Sequence, residues 1–294
     1  MINKPVLSSL FFLTILCNVL FAPICAAGDI IIVADSRLAP AMNVITGIRK
    51  SLHAKIKVFA PADVKGQLGR IVESEEPRVV VALGREALDE ALRLPFNIPV
   101  IYDLVVTPPQ ISRPNTTGFY MAIPARDYAD LIRRHLRSIK KIAVLGRHDQ
   151  LSLLAGDQTQ QTIPCAVRNA FELVDAVRHV EGADAILILP DVELLSATAI
   201  EEVFLISFRR GIPLLGISEK QVKEGALFGL VVDMVEVGRQ IGDYAERALR
   251  GINIDQYPPS PPKRFELFLN TDTAKRMGIQ LPDDMLRMAK RAYP

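Results

Sequence analysis

From Asp29 onward the chain alternates between short, unbroken apolar runs and longer stretches whose apolar residues recur every three or four positions. The first run, DIIIVA (29–34), is rich in β-branched residues and gives way to polar Asp35-Ser36-Arg37. Runs of this length without polar interruption predict strands buried on both faces, as in parallel sheets. Pro40 to Leu52 follows with Met42, Ile45, Ile48 and Leu52 at helical spacing. The pattern then predicts a strand over 55–60, a helix from Asp63 to Ser74 and a strand over 78–83. A helix opened by Gly84-Arg85-Glu86 and a strand over 98–104 complete the half. Such a βαβ series belongs to a doubly wound sheet.

The second half repeats the scheme. A helix from Asp127 to Ser138 precedes the strand KIAVLG (141–146), a helix candidate over 151–160 and a strand candidate over 164–171. The strand ADAILIL (183–189), a helix from Ala197 to Arg210 and the strand IPLLGIS (212–218) follow. VVVALGRE, a helix and IPVIYDL in the first half match AILILPD, a helix and IPLLGIS in the second. One module used twice predicts an α/β protein of two doubly wound parallel-sheet lobes with a crevice between them. The cluster of Pro, Gly and Asn in PNTTGFYMAIP (114–124) places the boundary there. A long amphipathic helix is predicted over 235–250, ended by Gly251, then a proline-rich connector (257–262) and a last strand over 264–270. The resulting division is a leader over 1–27, a first lobe over 28–118 that regains about 236–270, a second lobe over 119–235, and a helical tail over 271–294 packed on the lobes.

Residues 1–27 begin with Lys4, continue through an apolar stretch from Val6 to Phe21, and end in Cys25-Ala26-Ala27. Small residues at the last and third-last positions suit a signal peptidase, so cleavage is expected after Ala27 and the mature chain is expected in the periplasm. A membrane anchor needs about 20 apolar residues, more than this run supplies. A lipid on Cys25 is a minority alternative, because Pro23 and Ile24 fit a lipidation motif poorly. Cleavage leaves Cys165 alone, so no disulfide can form within the mature chain.

With 35 Lys+Arg against 33 Asp+Glu, the chain lacks the concentrated basic excess of a nucleic-acid binder. The loop after the first strand has no G-x-G-x-x-G, and neither a phosphate loop, a G-x-S-x-G elbow, H-E-x-x-H nor paired cysteines occur. No cofactor or metal is therefore expected, and no nucleophile–base pair marks an enzyme.

What remains is a set of polar residues at the carboxyl ends of the predicted strands, where open α/β sheets bind ligands. In the first half these are Ser36, Arg37, Gly84, Arg85, Glu86 and Asp103, with Tyr102 beside it. In the second they are Arg147, Asp191 and Ser218, flanked by His148 and Glu219. Ser36 also reads as a helix cap, and Asp103 as a turn residue with Thr107 and Pro108. Arg85 leads for an anionic group, because a guanidinium forks onto a carboxylate.

The chain from about Asp29 resembles ABC-transporter-type substrate-binding proteins with a type I periplasmic-binding-protein fold, a group that includes binders of aromatic amino acids. The resemblance is most specific in FLNTDTAKRMGIQLPDDMLRMA (268–289), with Asn270, Ala274, Lys275, Gly278, Ile279 and Pro282 on the family pattern. ADAILILPD (183–191), residues 225–251 and NTTG (115–118) match further. Departures are Ser36-Arg37-Leu38-Ala39 after the first strand and Ser112-Arg113-Pro114 where Pro-Gly-Gly is common. Phe119 and Tyr120 are the aromatics nearest the lobe crossing, and there is no Trp. The resemblance implies a monomeric solute-binding protein that hands a small organic ligand, such as an amino acid or small carboxylate, to an ABC permease. Delivery of a ligand signal to a membrane sensor kinase is the alternative.

Overall fold

The computed structural model describes residues 29–107, 109–154, 161–191 and 193–294. The first lobe is built from β1 (Ile30–Val33), α1 (Ala39–Ser51), β2 (Ile56–Phe59), α2 (Pro61–Val64), α3 (Leu68–Glu75), β3 (Val79–Leu83), α4 (Arg85–Ala91), β4 (Val100–Val105) and β5 (Thr116–Tyr120). Its five strands are parallel in the order β2-β1-β3-β4-β5. β1 and β3 are buried along their whole length, as their unbroken apolar sequences require. The single helix expected over 63–74 is two, because the chain turns at 65–67, where the Glu90 carboxylate accepts the Gly66 amide at 3.0 Å. Between β4 and β5 the register shifts after Tyr102, and Leu104 takes a left-handed φ of 56°.

The second lobe holds α5 (Ala125–His135), β6 (Ile142–Gly146), α6 (His148–Leu154), β7 (Thr162–Ala166), α7 (Ala170–His179), β8 (Ala185–Ile188), α8 (Ala197–Arg210), β9 (Leu214–Gly216), α9 (Glu219–Glu224) and β10 (Phe228–Val232). The chain continues as α10 (Met234–Leu249), a 3₁₀ turn (Ile254–Gln256), β11 (Phe265–Asn270), α11 (Thr271–Arg276), α12 (Asp283–Met288) and β12 (Arg291–Tyr293). The second sheet runs β12-β11-β10-β9-β8-β6-β7. The strand expected over 164–171 ends at Ala166, because the Asn169 side chain accepts the Glu172 amide at 2.9 Å and starts α7. The helix expected over 151–160 covers 148–154, and 155–160 lie outside the described residues. The last strand does not return to the first lobe: β11 pairs antiparallel with β10, β12 pairs with β11, and the tail ends in a strand of the second sheet.

The chain passes between the lobes three times, at 121–124 from β5 to α5, at Asp233 from β10 to α10, and at 261–264 into β11. Before the third passage it runs beside β5, with the Tyr120 amide donating to Ser260 O at 3.3 Å and the Ser260 amide to Gly118 O at 3.2 Å. α10 lies on α1 so closely that a Cβ at Gly238 would stand 2.1 Å from the Val44 carbonyl, and one at Gly47 2.1 Å from that of Val235. One apolar core runs through the crossings, joining Ile101 and Phe119 of the first lobe to Tyr128 and Phe228 of the second. Phe119 packs on Tyr244 at 5.3 Å between ring centres, and Tyr244 on Tyr257 at 4.9 Å. Phe119 is thus a core residue, and Tyr120 is half-buried.

Candidate functional site

β5 and β10 each lead into the opposite lobe from their carboxyl ends, and the strands beside them, β4 and β9, are parallel to them. The carboxyl edges of both parallel arrays therefore lie at the crossings, where ligands of open α/β sheets bind. On the first-lobe rim Ser36 and Arg37 are exposed. Ser36 caps nothing: α1 begins after Leu38 without a side-chain cap, with Pro40 in its first turn. Asp35 takes Arg37 Nε at 2.9 Å and Nη2 at 2.8 Å, and that hydrogen bonding lowers the Asp35 carboxyl to about 2. Gly84 joins β3 to α4 at φ 98°, and its amide donates to Asp103 O at 2.8 Å. Arg85 and Glu86 are exposed, with no ion-pair partner among the described residues.

Asp103 stands apart. It pairs in register with Leu83 at the last rung of β3 and β4, and neighbours in a parallel sheet share a face. It is fully buried, and neither carboxylate oxygen has a hydrogen-bond partner among the described residues. Burial raises its carboxyl to about 7, offset only in part by the Leu104 amide. Thr107 makes no hydrogen bond to the Asp103 side chain, and Pro108 of the expected turn lies outside the described residues. Tyr102 Oη, on the adjacent residue, is likewise buried without a partner, and burial raises that phenol to about 12.

On the second-lobe rim Arg147 pairs with Glu193 at 3.1 Å, and Asp191 accepts the amides of Glu193 and Leu194 at 2.8 and 3.1 Å. Gln150, not foreseen from the sequence, joins these strand ends: its Oε1 accepts the Arg147 amide at 3.2 Å and its Nε2 donates to Pro190 O at 2.9 Å. Its one sequence signal is polarity at a position where α6 turns toward the core. Ser218 caps α9 by accepting the Gln221 amide at 3.3 Å. Glu219 is held by Tyr293 and by Lys223 at 3.1 Å, and His148 is exposed at the start of α6. Asp233, also missed, sits at a lobe crossing and caps α10 through the Val235 and Glu236 amides, both at 3.1 Å. An Asp two and three residues ahead of a helical apolar pattern was the available signal. Arg147 and Asp191 are thus brought together, whereas among the described residues no hydrogen bond or ion pair joins the first-lobe set to the second-lobe set.

Among the described residues no group of His, Cys, Asp and Glu side chains is arranged to hold a metal ion, and no helix is long and apolar enough to cross a membrane. The motif residues near the end of the chain lie away from the rims. Asn270 ties β11 to α9 through Val222 O at 2.8 Å and caps α11 through the Thr273 amide at 2.8 Å. In NTTG, Thr117 donates to Tyr257 O, and a Cβ at Gly118 would stand 2.2 Å from Tyr102 O. Arg113, which departs from the family pattern, donates to Pro95 O at 2.6 Å, Ile98 O at 2.8 Å and Thr116 Oγ1 at 2.8 Å, and so staples the loop before β4.

A model of the ABC transporter substrate binding protein family matches residues 60–293. A tyrosine-binding protein of Clostridioides difficile (strain R20291) is 20% identical over 224 residues, which are 70% of this chain and 65% of that relative's length. The ligand-free, open structure of a substrate binding protein with adhesive properties from Clostridium difficile superimposes with a TM-score of 0.67 at 15% identity, covering 90% of this chain and 98% of that one. The ABC domain in complex with L-Trp from Streptococcus pneumonia gives 0.57 at 17% identity, with the same coverage of each chain. At these identities the solved structures establish the fold, a two-lobed arrangement like that of type I periplasmic binding proteins. With the family model matching most of its length and the same architecture around the crossings, this chain belongs to the ABC transporter substrate-binding protein family.

Proposed function

We propose that this chain is an exported solute-binding protein that captures a small organic ligand, an amino acid or small carboxylate, between its lobes and presents it to an ABC permease. The observation that carries the reading is the meeting of three lobe crossings with the carboxyl edges of both parallel arrays. Arg85, exposed and unpaired among the described residues, is the group offered to a ligand carboxylate. Ser36, Gly84, Glu86 and Asp103 share its rim, and Arg147, Asp191 and Ser218 stand on the facing one. Closure is a rotation about 121–124, Asp233 and 261–264, and ligand favours the closed state by its differential affinity for it. Relatives named for tyrosine binding and crystallised with L-Trp direct attention to aromatic amino acids. Residues 1–27 act as the leader, and the mature chain works in the periplasm as a monomer.

The test is thermal unfolding of the secreted chain against the twenty amino acids and a panel of small carboxylates. A ligand at 100 times its Kd raises stability by about 2.7 kcal/mol. Absence of any shift, together with no co-purifying small molecule in native mass spectrometry, overturns the proposal.

A further inference from the structure

Resting on the exported reading above for its choice of partner, we infer that the far pole of the second lobe is a docking surface for an anionic phospholipid bilayer. α5 starts at the 121–124 crossing, and its 11 residues carry the chain about 16 Å away from the crevice. The turn that follows, up to the start of β6, therefore sits at the amino edge of the second sheet, remote from both rims. Residues 133–141 read RRHLRSIKK, with Arg133, Arg134, Arg137, Lys140 and Lys141 all exposed and no carboxylate among them. Asp130 takes Arg133 at 2.7 Å, and its carbonyl accepts Arg134 Nε at 3.1 Å. The side chains of Arg137, Lys140 and Lys141 have no hydrogen-bond or ion-pair partner among the described residues. The carboxylates nearby are already committed. Asp184 accepts the Lys140 and Lys141 amides at 2.8 and 3.0 Å, and Asp284 holds His135 at 2.9 Å.

Charge is segregated along this lobe although the whole chain is nearly balanced. α7 ends in Arg178 and α8 in Arg209 and Arg210, at the same pole. A base in a last turn answers the helix macrodipole. That does not account for Arg137, Lys140 and Lys141, which lie past the end of α5. The crevice end of the lobe carries Asp127, Asp149, Asp191, Glu193 and Asp233 against Arg126 and Arg147. A lobe with acids at one end and bases at the other is turned pole-first by a negative surface. At the corresponding pole of the first lobe the signs are mixed, with Asp29, Glu73, Glu75 and Glu76 beside Arg49, Lys50, Lys55 and Arg78. The chemistry favours lipid over nucleic acid, because no aromatic residue interleaves with the bases of 133–141 to stack on a nucleotide. α12, tied to the end of α5 by Asp284, adds exposed Arg287 and Met288, and an apolar side chain beside a base suits a headgroup layer. Docking at this pole leaves the rims uncovered, so solute capture proceeds on the docked protein.

The test is co-sedimentation of the secreted chain with vesicles of phosphatidylcholine alone and with about a third phosphatidylglycerol. Each is run at low salt and at about 1 M salt, where the screening length is about 3 Å. The chain should bind the anionic vesicles at low salt and be lost from neutral vesicles and at high salt. Near an anionic surface each Lys or Arg strengthens binding about fivefold. Arg137→Gln, Lys140→Gln and Lys141→Gln together should therefore weaken it about a hundredfold. Arg49→Gln, Lys50→Gln and Lys55→Gln together change the net charge equally at the other pole and should bind as the wild type does. Equal loss in both triple variants, no binding of the wild type to anionic vesicles at low salt, or tighter binding of duplex DNA than of vesicles at equal phosphate concentration overturns the inference. Solute-induced thermal stabilisation should be the same in the variant at 137, 140 and 141 as in the wild type. The vesicle assay contains no solute and the solute panel no lipid, so either reading can fail while the other stands. The lipid, salt and DNA arms use the wild type alone, so the outcome does not depend on a variant folding.

Discussion

Replacing Asp103 by Asn removes a proton site while keeping the shape of the side chain, and the consequence for stability depends on pH. An aspartate in the unfolded chain titrates near 3.9, whereas burial in the fold raises Asp103 to about 7. Between those values the folded protein keeps a proton that the unfolded chain has already lost. The folded state therefore binds more protons, and wild-type stability falls as pH rises from about 4 to about 7, then levels off. Three pH units at 1.36 kcal/mol each amount to about 4 kcal/mol. The variant has no such slope. Its stability relative to wild type should thus climb by under about 1 kcal/mol up to pH 4.5 and by about 4 kcal/mol up to pH 8. A fixed offset from exchanging a carboxylic acid for an amide shifts the whole curve and leaves its slope untouched. Urea unfolding of both proteins at half-unit steps from pH 4.5 to 8 measures it. A difference that stays flat with pH, or grows toward acid, refutes the claim that Asp103 is buried without a partner in the free protein.

Gly238→Ala drives a methyl group into the Val44 carbonyl and should cost at least about 1–3 kcal/mol, read from the urea midpoint. Asn270→Ala strands the Thr273 amide and Val222 carbonyl, for a loss of about 1–3 kcal/mol in the same assay with ligand affinity unchanged. Arg85→Ala should leave the unfolding midpoint within about 0.5 kcal/mol of wild type, since the side chain is exposed and unpaired among the described residues, yet weaken carboxylate ligands at least tenfold by titration calorimetry.

The sheet strands were legible because burial on both faces leaves only apolar residues, and IIIV, VVVAL and AILI are such runs. β7 was legible only in part, its expected bounds displaced toward the carboxyl end, since exposed Pro164 between half-buried neighbours breaks the pattern at the edge of the sheet. β12 is three residues with two exposed, too short and too polar to carry a period. The antiparallel return of β11 is a long-range choice: RFELFLN reads as a strand, but nothing local names its partner. Among site residues, strand-end position located the rims but could not separate binders from caps. Asp191 and Ser218 serve local amides, whereas Asp103, of similar sequence character, is left without a partner among the described residues. That difference comes from the depth of β4 and the shifted register at Leu104, which only the assembled sheet fixes.

The seat of α10 on α1 has an effect on biosynthesis. A helix ending at Leu249 completes a lobe that opens with Ile30, so the amino-terminal half cannot close its core until most of the polypeptide has left the ribosome. Until then the glycine-bearing side of α1 stays uncovered, which would suit the export proposed above. Late folding of this kind is what delivery across a membrane in the unfolded state requires.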